Sequence, residues 1–207
     1  MKYIFVTGAP GSKWSSVVKN IYYSGDIDHS DYSDIRTYYH DASGEMQLMH
    51  LGAYFDPGME FGKNFHRMPM YTKEQLEKDF DEAFTATEGI RIIKSHIFAN
   101  HIKFIRETWP DCPIILVHRS DDSCLGWWVK CGHFNITYPD YSVYYQNLKI
   151  MSEKIKEQNE GIANAMQAPN AKVLNTNREL CETLNIQSPP EEYFQDYRKS
   201  DIKVIVI

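Results

Sequence analysis

Residues 2–6, 90–94 and 113–118 are short runs of β-branched, aromatic and aliphatic side chains, and each gives way to a segment whose apolar residues recur at helical spacing. Strands that read as near-continuous apolar runs are covered on both faces, and parallel strands need long crossovers, usually helical, to join them. The chain is therefore expected to be α/β, an open parallel sheet with helices on both faces. Around these runs, the spacing predicts helices over 14–23, 73–87, 97–108, 121–131, 143–166, 178–184 and 191–197. Further strands are expected over 46–54, 172–175 and 202–207. With 207 residues and 43% hydrophobic side chains, there is material for one sizeable core and little for a second, so residues 1–207 are read as one domain.

A net charge of -6 argues against a broad basic surface for nucleic acid, so any anion site has to be local. Cys112, Cys124, Cys131 and Cys181 form no Cys-x-x-Cys pair and no zinc-ligand quartet, which fits free thiols in a reducing cytosol. The first apolar run is too short for a leader or a membrane span, so a soluble, cytoplasmic protein is expected.

The first strand ends in Gly8-Ala9-Pro10-Gly11-Ser12-Lys13, directly before the first helix. Glycines there let backbone N–H groups converge on an anion, and the helix N-terminus adds a favourable dipole. The spacing falls short of the nucleoside-triphosphate loop Gly-x4-Gly-Lys-Ser/Thr, since two residues separate the glycines and Trp14 follows Lys13. The plainer reading is a turn that joins strand to helix. Trp14 is a candidate to stack on a base, although taken alone a tryptophan there fits core packing better.

Two later strand ends carry similar chemistry. Lys94-Ser95-His96 offers a cation, a hydroxyl and an imidazole suited to general-base work, or a capping cluster. Arg119, followed by Ser120, Asp121, Asp122 and Ser123, offers a fork of donors for phosphate, or a partner for Asp121 or Asp122.

In order and approximate spacing these clusters resemble those of sulfotransferases that use 3'-phosphoadenosine 5'-phosphosulfate (PAPS). That family's loop, Pro-Lys-Ser-Gly-Thr-Thr-Trp, is similar to Gly8 to Trp14 without gaps. Its Lys-Thr-His signature is similar to Lys94-Ser95-His96, and its 3'-phosphate arginine falls on Arg119. A weaker likeness covers 172–186, where Arg178-Glu179-Leu180 follows a strand. The resemblance implies a P-loop-like sulfotransferase fold with Gly8, Ala9, Pro10, Gly11, Ser12, Lys13, Trp14, Arg119, Ser123, Arg198 and Lys199 around the nucleotide. It implies catalysis by His96, Lys94 and Lys13, no metal, and a small-molecule acceptor. Three positions of the first loop differ in kind; the family's loop lysine falls on Ala9, a serine eight residues after the arginine falls on Trp127, and the Arg-Lys-Gly loop has only Arg198-Lys199-Ser200 as counterpart.

Two other readings stay open: a P-loop kinase or nucleotide hydrolase, marked by magnesium dependence, and a non-catalytic nucleotide-binding module. The aromatic stretches 22–70 and 133–145 fit either an acceptor pocket or packing beneath long loops, and His40, His50, His66 and His101 belong to no motif.

Overall fold

The structure is a computed structural model that describes residues 1–31, 51–55, 65–130 and 146–207, together with the backbone of two short strands at 37–39 and 47–49. The 2–6 run forms β1 (Tyr3–Gly8), buried along its whole length. Its side chains alternate between two apolar layers: Ile4 and Val6 join one, Tyr3 and Phe5 the other. That alternation is the period-two geometry of a strand covered on both faces.

Strands β4 (Ala53–Tyr54), β5 (Arg91–Lys94), β6 (Ile114–Arg119), β7 (Lys172–Leu174) and β8 (Ile202–Val206) complete a six-stranded sheet in the order β4-β5-β1-β6-β8-β7. The two short strands β2 (Thr37–Tyr39) and β3 (Gln47–Met49) pair only with each other. The first four strands of the large sheet are parallel, with Val6 beside Lys94 and Gly8 beside Val117.

The expectation of a wholly parallel sheet is corrected at β8, which runs antiparallel to both β6 and β7. The connection explains the reversal. After β7 the chain makes one short helix and returns to the same end of the sheet, where Thr176 bridges Asp196 and Tyr197 N–H donates to Asn175 O. It enters β8 from that end without a crossover, so the strand must point back.

Helices cover both faces. Helix α1 (Trp14–Tyr22) buries Val17, Val18 and Ile21 against one layer. Helix α2 (Lys73–Glu82) buries Leu76 and Phe80 against the other, and its start is fixed by a capping box between Thr72 and Gln75. Helices α3 (Ile102–Thr108), α4 (Asp121–Lys130), α5 (Leu148–Ala165) and α6 (Asn177–Leu184) complete the framework. Helix α5 serves both layers: Met151 and Ile155 belong to the first and Ile162 to the second. It packs against β1 and β6, and at the carboxyl end of β6 Asn159 Nδ2 donates to Arg119 O (2.8 Å) and to Asp121 Oδ1 (2.6 Å).

Several expected elements are shorter or broken. The 73–87 helix stops at Glu82, because Phe84 bridges Asp31 and the Thr85 and Ala86 amides donate to Ser30 Oγ. The 97–108 helix is a 3-10 turn, His96–Asn100, followed by α3, with the break at His101. Gly52, at φ 77°, separates β3 from β4 within the expected 46–54 strand. The 191–197 helix is replaced by two 3-10 turns, Glu191–Tyr193 and Tyr197–Lys199, with extended Phe194 between them. Residues 143–145 of the expected 143–166 helix and Cys131 at the end of the expected 121–131 helix lie outside the described residues. Among the described residues, no helix is long and apolar enough to cross a membrane.

Candidate functional site

The carboxyl ends of β5, β1 and β6 are adjacent, so the loop after β1 lies between the other two sequence clusters. Both clusters are tied to it by hydrogen bonds. His96 Nδ1 donates to Gly8 O, and Arg119 Nη1 donates to Gly11 O at 2.9 Å. Two residues expected to act chemically thus hold the loop from opposite sides through its carbonyls.

The loop itself is tight. Ser12 N–H donates to Ala9 O, Gly11 sits at φ 81° and Lys13, which caps α1, at φ 64°. Gly11 has no room for a side chain, because a Cβ there would stand 2.1 Å from Cys124 O on α4. Ser16 N–H donates to Lys13 O, which leaves the Trp14 and Ser15 amides without an acceptor within the helix and gives this end a positive potential. Ser12 is fully buried and its hydroxyl has no hydrogen-bond partner among the described residues. Leaving such a group unsatisfied costs about 1–3 kcal/mol.

On the β5 side, Lys94 is fully buried and His96 is 3% exposed. The Lys94 ammonium lies 5.8 Å from the Trp14 ring centre and 5.4 Å from that of Tyr54. Trp14 stacks on the His96 imidazole, with centroids 4.1 Å apart, and meets Tyr54 edge-on at 5.3 Å. The open choice for Trp14 therefore falls on packing: the ring is 4% exposed, and a base could stack there only by displacing His96 or Tyr54. A carbonyl can only accept, so His96 Nδ1 carries the proton in its bond to Gly8 O. In the neutral form of that ring, Nε2 is the basic nitrogen. Ser95 accepts from Ile97 N–H and caps the following 3-10 turn, and Thr7 Oγ1 donates to His96 O at 3.4 Å.

On the β6 side, Arg119 pairs with neither Asp121 nor Asp122. Its Nε and Nη2 both lie 2.7 Å from Oδ2 of Asp201, at the mouth of β8. The other oxygen of that carboxylate, Oδ1, is 3.8 Å from Lys13 Nζ. The hydrogen bonds from Arg119 hold the Asp201 carboxyl below the usual carboxylate range, with the charges of Arg119 and Lys13 adding to the effect. Trp127, where the resembling family carries serine, is half-buried with three cations about its ring: Lys13 at 4.9 Å, Lys130 at 5.8 Å and Arg119 at 6.0 Å.

The remaining expected residues contribute less. The Ser123 amide donates to Ser120 Oγ in the first turn of α4. Exposed Arg198 is engaged with Asp196 through Nε and Nη2, both at 2.8 Å, and Lys199 is exposed beside it. Ala9, at the family's lysine position, is fully buried and brings no charge. His40, His50 and residues 133–145 lie outside the described residues.

Sequence reasoning missed Asp201 and Tyr54. Asp201 looks like the polar residue before a strand, and its partner is 82 residues away. Tyr54 carries no motif, and only the pairing of β4 with β5 brings it beside Lys94. Comparison of the chain with protein-family models, curated proteins and solved structures gives no match to any of them.

Proposed function

We propose that this end of the sheet binds a phosphorylated adenosine nucleotide, and that the chain transfers a sulfuryl group from PAPS to a hydroxyl or amine of a small acceptor. The observation that carries the reading is the double attachment of the Gly8–Lys13 loop, to His96 through Gly8 O and to Arg119 through Gly11 O. Three clusters, distant in sequence, thereby become one site at the carboxyl ends of adjacent parallel strands, where open α/β sheets bind ligands.

The residues present fit an anionic group. The buried Ser12 hydroxyl and the Trp14 and Ser15 amides at the start of α1 are donors that a phosphate would satisfy. Lys94 and Lys13 supply positive charge on either side of the loop, a role the resemblance would give to a lysine at Ala9. PAPS, when bound, supplies the sulfuryl group on a phosphate leaving group. His96, held by Gly8 O with Nε2 as its base, takes the proton from the acceptor as the acceptor oxygen or nitrogen bonds to sulfur and the sulfur–phosphate oxygen bond breaks. Lys94 and Lys13 stabilise the negative charge that collects on the departing phosphate.

His96→Ala tests this directly. Turnover with PAPS should fall by about 100-fold or more, the usual scale of general-base catalysis. Binding of adenosine 3',5'-bisphosphate should change little beyond a loosening of the loop. A variant with normal turnover would remove His96 from the chemistry. Two observations favour the non-catalytic reading: Arg119 is already paired with Asp201, and the loop has no lysine at Ala9. Binding of the bisphosphate without turnover across phenols, alcohols, sugars and amines would decide for it.

A further inference from the structure

Asp201 stands where an incoming anion would have to stand. Arg119 is 8% exposed, and its guanidinium spends Nη1 on Gly11 O and both Nε and Nη2 on one Asp201 oxygen. The second Asp201 oxygen faces Lys13. A carboxylate that presents separate oxygens to two cations copies the way a phosphate or sulfate would bridge them. Lys13, Arg119 and Lys130 gather about Trp127, and among the described residues Asp201 is the carboxylate that pairs with Lys13 and Arg119, while nearby Asp121 is held by Asn159. Asp201 is also more exposed than either cation it pairs with. Its side chain is 45% exposed, against 9% for Arg119, and it lies between the 3-10 turn Tyr197–Lys199 and the first residue of β8.

We infer that Asp201 is a built-in competitor for the Arg119–Lys13 cation pair, which an exogenous phosphate or sulfate must displace, so that Asp201 sets how strongly the site favours a second phosphate on its nucleotide. This builds on the anion-binding part of the function proposed above and adds a specificity-determining residue to it. Displacement leaves the Asp201 carboxylate in water, which its exposure permits, while Arg119 exchanges one anionic partner for another. The Gly11 carbonyl keeps its bond to Nη1, so the loop is not released.

Asp201→Asn keeps the shape and removes the competing charge. Inorganic phosphate is titrated at fixed ionic strength into wild type, Asp201→Asn and Asp122→Asn, and the thermal midpoint is followed. The same three proteins are titrated by calorimetry with adenosine 3',5'-bisphosphate and adenosine 5'-phosphate. Asp122→Asn makes an equal change in net charge on an exposed residue of the nearby α4. Asp201→Asn should bind phosphate about fivefold to tenfold more tightly than wild type, while Asp122→Asn changes by no more than about twofold. The gain on the bisphosphate should exceed that on the monophosphate. If Asp201→Asn does not fold, Asp201→Ser serves in the same measurements. Phosphate affinity equal in Asp201→Asn and Asp122→Asn, or lower than in wild type, overturns the inference. Tighter phosphate binding with no binding of either nucleotide keeps the competitor role and sinks the nucleotide reading. Bisphosphate bound equally by wild type and Asp201→Asn does the reverse.

Discussion

Replacing Gly11 by alanine should damage this protein far more than replacing Gly126, although both changes add one methyl group close to α4. Gly11 has φ 81°, in the left-handed region, where an L-residue costs about 1–2 kcal/mol. The added Cβ would also lie 2.1 Å from Cys124 O and 2.8 Å from its carbonyl carbon, and both are backbone atoms of α4 that cannot rotate away. Shifting that helix disturbs buried Cys124 and Trp128, and overpacking of this kind costs about 1–3 kcal/mol. Together the loss is about 2–5 kcal/mol, a large share of the 5–15 kcal/mol typical of a domain. Gly126 lies inside α4 and a Cβ there meets nothing within 4 Å, so Gly126→Ala should stabilise by about 0.5–1 kcal/mol. Urea unfolding of the three proteins, followed by circular dichroism and by tryptophan fluorescence, measures both shifts if the two probes coincide. A Gly11→Ala midpoint equal to wild type, or a Gly126→Ala loss as large as that of Gly11→Ala, would refute the loop geometry on which the site depends.

At the opposite end of the sheet, Arg91 pairs with Asp28, whose side chain is 1% exposed, and with Asp81; Arg91→Met should cost about 3–5 kcal/mol in urea unfolding, because it strands a buried carboxylate, and a loss below about 1 kcal/mol would contradict the pairing. Burial alone would raise the Asp81 carboxyl, but bonds from Lys2, Tyr3 and Arg91 outweigh it and hold the group low. A depressed carboxylate stabilises the fold above its unfolded pKa, about 3.9, and that contribution fades as pH falls through the lower folded value. Stability should therefore hold from neutral pH to about pH 5 and decline below about pH 4, and Asp81→Asn should flatten that decline; an unchanged acid slope would count against it. Burial pushes the Cys124 thiol up to about 12 and that of Cys181 to about 11, so at neutral pH half-buried Cys112 should react with iodoacetamide well before either. Native-state labelling of Cys124 or Cys181 as fast as Cys112, read by peptide mass spectrometry, would contradict their burial.

Local patterns made β1, its glycine loop and α1 legible, because strand period, turn residues and helix period all change within twelve positions, 3–14. The capping box at Thr72 was legible for the same reason, as its four residues carry the whole signal. The direction of β8 was not, since an apolar run reads alike in either sense and only the return of the chain to Asn175 fixes it. The break at His101 and the early end of α2 come from partners at Phe98, Asp31 and Ser30, two of them more than fifty residues away. In the site, the candidate cations and His96 could be read from their strand ends, but their states could not. Whether Arg119 awaits an anion or already holds one depends on Asp201, and whether Trp14 is open to a base depends on His96 and Tyr54.

On the function proposed above, one loop, held by His96 and Arg119, binds a phosphorylated adenosine nucleotide. Calorimetric titration of the purified chain with adenosine 3',5'-bisphosphate in the absence of magnesium, with ATP in a parallel run, tests it most directly. Saturable one-site binding of the bisphosphate, tighter than that of ATP, is the predicted result. Preference for ATP, or binding that requires magnesium, would contradict it and point to phosphoryl chemistry at the same loop.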